Sequence, residues 1–289
     1  MISTKTAKAA YQKVKTLKKV LLNSLNIVSK TIYFCKRCLI GYIICFMKII
    51  SLNTWGGRLK NDLLSFVEDN KNIDIFCLQE IYNNAPLQSI IKNSLQDRFD
   101  LLLDIKKTLT EHDGYFRPHV GEHYGLSIFI KKDIKIIEEG DFFVYQPLNY
   151  VGGGNHARNV QYIKIEDGGK IKNIINFHGL WNGMGKGDTD DRILQSQNIL
   201  DFIKTLQGDI VLCGDFNLLP ETKSLKMFEE FGLINLIEEY NIQSTRTSYY
   251  TKPGKFADYA FVSKGVKVED FKVLPDEVSD HSPLYLEIE

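Results

Sequence analysis

The chain has 289 residues, 44% of them hydrophobic and 25% charged, with 36 Lys and Arg against 36 Asp and Glu. That composition supports a sizeable core and excludes a disordered, collagen-like or multi-span membrane chain. The zero net charge hides a division, because residues 1–46 hold nine basic side chains and no acid, leaving the remainder at a net −9 without a general positive field.

Within residues 1–46, Val14, Leu17, Leu21, Leu25 and Val28 share one helical face, which predicts a basic amphipathic helix. The apolar run that follows, Cys38–Met47, is too short to cross ~30 Å of hydrocarbon as a helix. Three readings stay open: an upstream extension with translation able to begin at Met47, a basic organelle-type leader, or a membrane-surface anchor. Five cysteines are too few for a disulfide framework in a chain of this size and point to a reducing, cytoplasmic setting. Cys77 and Cys213 sit in apolar runs and read as core thiols, whereas Cys35 and Cys38 lack the second pair that a zinc site requires.

From residue 48 to residue 289 one monomeric α/β domain is expected. Lys48–Thr54 reads as a buried strand, Leu59–Val67 as a helix and Ile73–Leu78 as a second buried strand. Leu126–Ile130, Val160–Ile165 and Ile171–Phe177 continue the strands, and Arg192–Leu206 carries a helical apolar stripe. Asp209–Cys213, Tyr259–Ser263 and Leu284–Ile288 complete the set. Short strands mixed with helices imply two packed sheets with helices outside. Two long irregular stretches, Tyr145–Asn159 with its Gly152-Gly153-Gly154 and Trp181–Asp191, are placed as functional loops.

Polar residues gather at the strand ends. Asn53 closes the first strand, Glu80 the second and His178 a later one. Asp215 and Asn217 follow Ile210–Leu212 as Gly-Asp-Phe-Asn, Asp258 precedes Tyr259–Ser263, and Asp280 and His281 precede the last strand. Carboxylates and imidazoles on apolar strands are costly as core filling, and a divalent cation is the economical partner. Oxygen-rich ligation suits Mg²⁺ or Mn²⁺, ions that act on phosphates, while an Asp–His pair supplies a general base.

Ser51-Leu52-Asn53-Thr54-Trp55, Leu78-Gln79-Glu80, Gly214-Asp215-Phe216-Asn217, Asp258-Tyr259 and Ser279-Asp280-His281-Ser282-Pro283 occur in this order. Together they resemble the signature of the endonuclease/exonuclease/phosphatase superfamily, the deoxyribonuclease I-like group, across residues 48–289. The resemblance implies a four-layered α/β sandwich and metal-dependent hydrolysis of a phosphoester. It implies metal ligation by Glu80, with Asn53 beside it and Asp280 completing the carboxylates. Asp215 then helps orient or deprotonate the attacking water, Asn217 holds the scissile phosphate, and His281, oriented by Asp258, acts as base or phosphate contact. His178 matches the second catalytic His of the deoxyribonuclease I and sphingomyelinase branches, with Glu122 as its orienting acid.

No Arg stands two residues before Asp258-Tyr259, unlike the base-excision branch, and Trp181–Asp191 matches no known substrate branch. Lys186, Arg158 and Trp181 are weaker substrate-binding candidates. The alternative reading makes Lys186, Lys252 and Lys255 solvated loop charges, and Arg158 and Arg192 structural. The expected activity is that of a phosphodiesterase of endo- or exonuclease type. The alternatives are a phosphomonoesterase or phospholipid phosphodiesterase, whose basic leader serves as a membrane hook, and a non-catalytic binding module. The nucleic-acid, lipid or small-phosphate nature of the substrate stays open.

Overall fold

Side-chain alternation builds the layers of this fold. In β1 (Met47–Asn53), Met47 and Ile49 join one apolar cluster while Ile50 and Leu52 join another. The parallel neighbour β2 (Ile75–Tyr82) divides likewise, with Ile75 and Cys77 in the first cluster and Phe76 and Leu78 in the second. These runs are apolar without alternation because both faces are covered. The second cluster takes Leu63, Phe66 and Val67 of α1 (Lys60–Asp69) and Leu101, Leu102 and Ile105 of α2 (Leu101–Thr108). The first takes the facing sheet, together with Ile199, Leu200 and Ile203 of α3 (Asp190–Thr205) and Leu225 and Phe228 of α4 (Lys223–Glu230).

The computed structural model describes residues 46–86, 99–148 and 154–289, within a compact unit that spans Phe46–Glu289. The basic leader with Cys35 and Cys38, and Gly152 and Gly153 of the triple glycine, lie outside the described residues. Among the described residues two six-stranded mixed sheets form. One adds β3 (His112–Val120), β4 (Tyr124–Lys131), β11 (Val268–Val273) and β12 (Leu284–Ile288) to the first two strands, in the order β11-β12-β1-β2-β4-β3. The other contains β5 (Ile136–Tyr145), β6 (Arg158–Asp167), β7 (Lys170–His178), β8 (Asp209–Asp215), β9 (Ile234–Asn235) and β10 (Asp258–Val262), in the order β5-β6-β7-β8-β10-β9. A short helix α5 (Leu236–Glu239) follows β9. The two sheets with helices outside them make the expected α/β sandwich. No helix among the described residues is long and apolar enough to cross a membrane.

Each sheet has one parallel pair at its middle, β1 with β2 and β7 with β8, so the C-terminal ends of those four strands lie at matching edges. Toward that edge the layer between the sheets turns polar. Asn176 Nδ2 donates to Leu78 O at 3.0 Å and to Ser127 O at 3.2 Å, and Gln79 Nε2 donates to Asn176 Oδ1 at 2.7 Å. This buried rivet joins the sheets just below the polar strand ends. Asn176→Ala removes these three buried hydrogen bonds and is expected to lower unfolding free energy by about 3 kcal/mol. Urea denaturation checks this, read as a lower midpoint at unchanged slope.

Candidate active site

The ends of β1, β2, β7 and β8 and the start of β10 converge. Asn53 Nδ2 donates to Glu80 Oε1 at 3.1 Å and to Asp215 Oδ2 at 3.0 Å, joining one sheet to the other. Glu80 is not the last residue of its strand. It sits in a β-bulge between Leu78 and Ile81 with φ of 59°. Such a backbone stores ~1–3 kcal/mol of strain and aims a side chain away from the pleat. The bulge is pinned by Thr54 Oγ1, which donates to Gln79 O at 2.9 Å and to Glu80 O at 3.2 Å. Its carboxylate is the open one, 25% exposed against 2% for Asp215.

Asp215 faces His178 across the parallel pair and Asp258 across the antiparallel one. The preceding Gly214 has φ of 144°, and a Cβ there meets Phe177 O at 1.9 Å, so only glycine lets β8 approach β7 this closely. Phe216 then turns into the core, and Asn217 at φ 56° donates its backbone N–H to Asp215 Oδ1 at 2.8 Å. Asn217 Nδ2 donates to Gly179 O at 3.2 Å. The Gly-Asp-Phe-Asn segment is thus a turn held by the Asp215 carboxylate on the Asn217 backbone and by the Asn217 amide on the Gly179 carbonyl.

His281 Nδ1 lies 2.8 and 2.9 Å from the two Asp258 oxygens. A carboxylate only accepts, so Nδ1 carries the proton and Nε2 keeps its lone pair. Nε2 is 3.6 Å from Asp215 Oδ2 and 3.8 Å from Asp280 Oδ1. Burial, with Arg246 nearby, pushes His281 down to about 4, and burial pushes Asp258 up to about 6. Both shifts have the same cause, the expense of charge in a dry site. On the other side of Asp215, His178 Nε2 lies 3.7 Å from Oδ2 and 3.9 Å from Glu80 Oε1. Burial and the Arg158 charge hold His178 well below its ordinary value, so its ring is neutral. The same two causes hold His119 at about 3 and His156 at about 2. These two imidazoles stack with centroids 5.1 Å apart, and the His119 ring lies 6.1 Å from that of His178.

Asn53, Glu80, His178, Asp215, Asp258, Asp280 and His281 therefore form one connected cluster, with Asn217 bonded to Asp215. Arg158 is buried and acts on His178. Lys186 is buried too, at variance with a solvated loop charge, whereas Lys252 and Lys255 are exposed. Trp181 is half-buried, and a Cβ on Gly154 meets its Cδ1 at 2.7 Å, so the indole packs closely against that glycine. Glu122 does not orient His178: it is exposed in the turn between β3 and β4, and His178 Nδ1 has no hydrogen-bond partner among the described residues. Arg192 frames the loop before α3 by donating to the carbonyls of Leu180, Gly185 and Gly187.

Sequence reasoning passed over Arg246, whose Nη1 donates to Asp280 Oδ2 at 3.0 Å, and Thr245, whose Oγ1 accepts from the backbone of Ala257 and Asp258. Nothing local marks them, because an isolated bridge between Arg246 and His281 brings their loop to the site.

Asp280 Oδ1 is buried without a hydrogen-bond partner among the described residues, and several carboxylates crowd around Asp215. An oxygen-rich set with an unsatisfied buried lone pair fits a hard divalent cation. Asp215, Asp258 and His281 have ligand atoms within 4.8 Å of one another. Asp258 already gives both oxygens to His281 Nδ1 and both Asp215 oxygens accept hydrogen bonds, whereas Asp280 Oδ1 keeps a lone pair without a hydrogen-bond partner among the described residues.

No curated protein matches this chain. Solved structures share its fold. An endonuclease/exonuclease/phosphatase from Bacteroides vulgatus is 19% identical with a TM-score of 0.62, covering 85% of this chain and 99% of its own. The mannosyl-6-phosphatase Bt3783 of Bacteroides thetaiotaomicron VPI-5482 is 19% identical with a TM-score of 0.65, covering 84% and 99%. D. rerio TDP2, complexed with single strand DNA product, is 17% identical with a TM-score of 0.63, covering 84% and 99%. The family model that matches residues 50–281 takes in every strand end of the cluster, and on that match the chain belongs to the endonuclease/exonuclease/phosphatase family, whose named activities act on phosphoester bonds.

Proposed function

We propose that the chain is a phosphodiesterase of endo- or exonuclease type that depends on Mg²⁺ or Mn²⁺. The observation that carries this reading is the setting of Asp215, with His178 Nε2 at 3.7 Å on one side and His281 Nε2 at 3.6 Å on the other. Both imidazoles and the carboxylate thereby face one reacting centre. Asp215 positions the attacking water, and His281 Nε2 takes its proton while Asp258 holds Nδ1–H. Asn217 and the neutral His178 donate hydrogen bonds to phosphoryl oxygens as the leaving P–O bond breaks. Glu80 and Asp280, with Asn53 beside them, would hold the cation. When bound, such an ion neutralises charge on the phosphoryl group and polarises the leaving oxygen.

Hydrolysis of bis-p-nitrophenyl phosphate by the purified chain tests this. Turnover is expected with Mg²⁺ or Mn²⁺ and is expected to vanish in excess chelator. Equal rates with and without chelator, or no turnover with either ion, contradict the reading.

A further inference from the structure

On the His281 flank two cations stand close together. Lys186 is 8% exposed, its Nζ donates to Phe256 O at 2.7 Å, and it forms no ion pair among the described residues. The Arg246 side chain is 6% exposed, and its Nε is buried without a hydrogen-bond partner among the described residues. Both charges lie over one ring, the Lys186 ammonium 4.7 Å and the Arg246 guanidinium 4.2 Å from the centroid of Tyr250. Arg246 is paired with Asp280 Oδ2 at 3.0 Å, while Lys186 has no ion-pair partner among the described residues, so an arriving anion supplies the buried ammonium with one.

The supports of both residues are rigid. Asp188, two residues from Lys186, accepts from the backbone N–H groups of Lys223 and Ser224 at 2.8 and 2.9 Å. Arg192 holds the carbonyls on either side of Lys186, those of Gly185 and Gly187. Around Arg246, Thr247 Oγ1 donates to Ser279 O at 2.6 Å and Ser282 N donates to Thr245 O at 3.0 Å. A cation held in place before its ligand arrives loses little entropy on binding.

We propose that Lys186 and Arg246, set against Tyr250 beside the catalytic carboxylates, form an anion subsite for a second phosphate that adjoins the scissile phosphoester. The subsite rests on the phosphoester reading of the neighbouring cluster. It selects substrates in which two phosphates are one sugar or ring apart, and it concentrates positive charge locally on a body that is acidic as a whole. Arg246 also holds Asp280, so Lys186 is the residue by which the subsite can be separated from catalysis.

Calorimetry in Mg²⁺ compares thymidine 5′-monophosphate with thymidine 3′,5′-bisphosphate, and inositol 1-phosphate with inositol 1,4-bisphosphate. Wild type is expected to prefer the bisphosphate by at least about tenfold in one pair, the amount one charge-assisted contact supplies. The preferring pair tells a nucleotide source from an inositol one. Lys186→Gln is expected to remove most of that preference and Lys186→Arg to keep it. Equal affinity for mono- and bisphosphates in wild type overturns the subsite, as does a Lys186→Gln variant that weakens both ligands alike, which makes Lys186 only a counter-charge. A selective bisphosphate site on a chain that fails to hydrolyse bis-p-nitrophenyl phosphate sinks the hydrolase reading and keeps the subsite. Hydrolysis without selectivity does the reverse.

Discussion

Replacing Asp258 by asparagine is expected to lower kcat on bis-p-nitrophenyl phosphate by ~10² to 10⁴ while leaving the melting temperature no lower than that of wild type. Both halves come from one contact. Asp258 lies within 2.9 Å of His281 Nδ1 through both oxygens and so dictates which ring nitrogen keeps its lone pair. An asparagine can present its NH₂ to Nδ1, favouring the opposite tautomer and removing the base from Nε2. The stability half follows from the raised value of Asp258, about 6, caused by burial. A carboxyl whose folded value lies above its unfolded one favours folding when protonated and opposes it once ionised at pH 7. A neutral amide of the same shape removes that penalty. His281→Ala is expected to lose a similar factor in rate. A variant at either position that keeps its rate within tenfold of wild type removes His281 from the role of base.

Glu80→Gln is expected to cost at least ~10³ in kcat/KM, since loss of a cation ligand forfeits several kcal/mol of charge stabilisation and each 1.36 kcal/mol is tenfold. The substitution keeps the shape of the bulge, whose φ of 59° is pinned by hydrogen bonds from Thr54 Oγ1 to the carbonyls of Gln79 and Glu80. Folding is therefore expected to stay intact, checked by an unchanged urea midpoint, so a fall in rate reports on the site alone. Unaltered kcat/KM places the cation elsewhere.

The interior of both sheets was legible from the sequence, and their margins were not. β1, β2, β4 and β12 in one sheet, and β6, β7, β8 and β10 in the other, have neighbours on both sides and read as apolar runs. The edge strands β3, β5, β9 and β11 passed unread. Their residues explain this: Asp113, Gly114 and Pro118 in β3, Glu138, Glu139 and Asp141 in β5, and Glu269, Asp270 and Lys272 in β11. Charge and proline protect an exposed edge from pairing with other chains, and they erase the hydrophobic signal by which a strand is recognised. Helices α2, α4 and α5 were also missed, being at most eight residues long.

The same division holds at the site. Asn53, His178, Asp215 and Asp258 stood out because each is polar at the end of an apolar interior strand, where the contrast is local. His119 lies on an unread edge strand, and Arg246 reaches the cluster through a bridge to His281 that spans 35 positions of chain. Lys186 illustrates a different failure. In a glycine-rich loop a lysine suggests solvent, yet Arg192 and Asp188 fold that loop so that the ammonium lies over Tyr250. Burial of that kind is a property of distant contacts and leaves no mark on the neighbouring sequence.

Calorimetric titration of Mn²⁺ into wild type and Glu80→Gln, with unfolding midpoints shown to agree, is the most direct measurement of whether these scattered groups grip one cation. A saturable isotherm in wild type that weakens at least about tenfold in the variant, a difference of about 1.4 kcal/mol, is the predicted result. Superimposable isotherms, or no binding heat in wild type, contradict it.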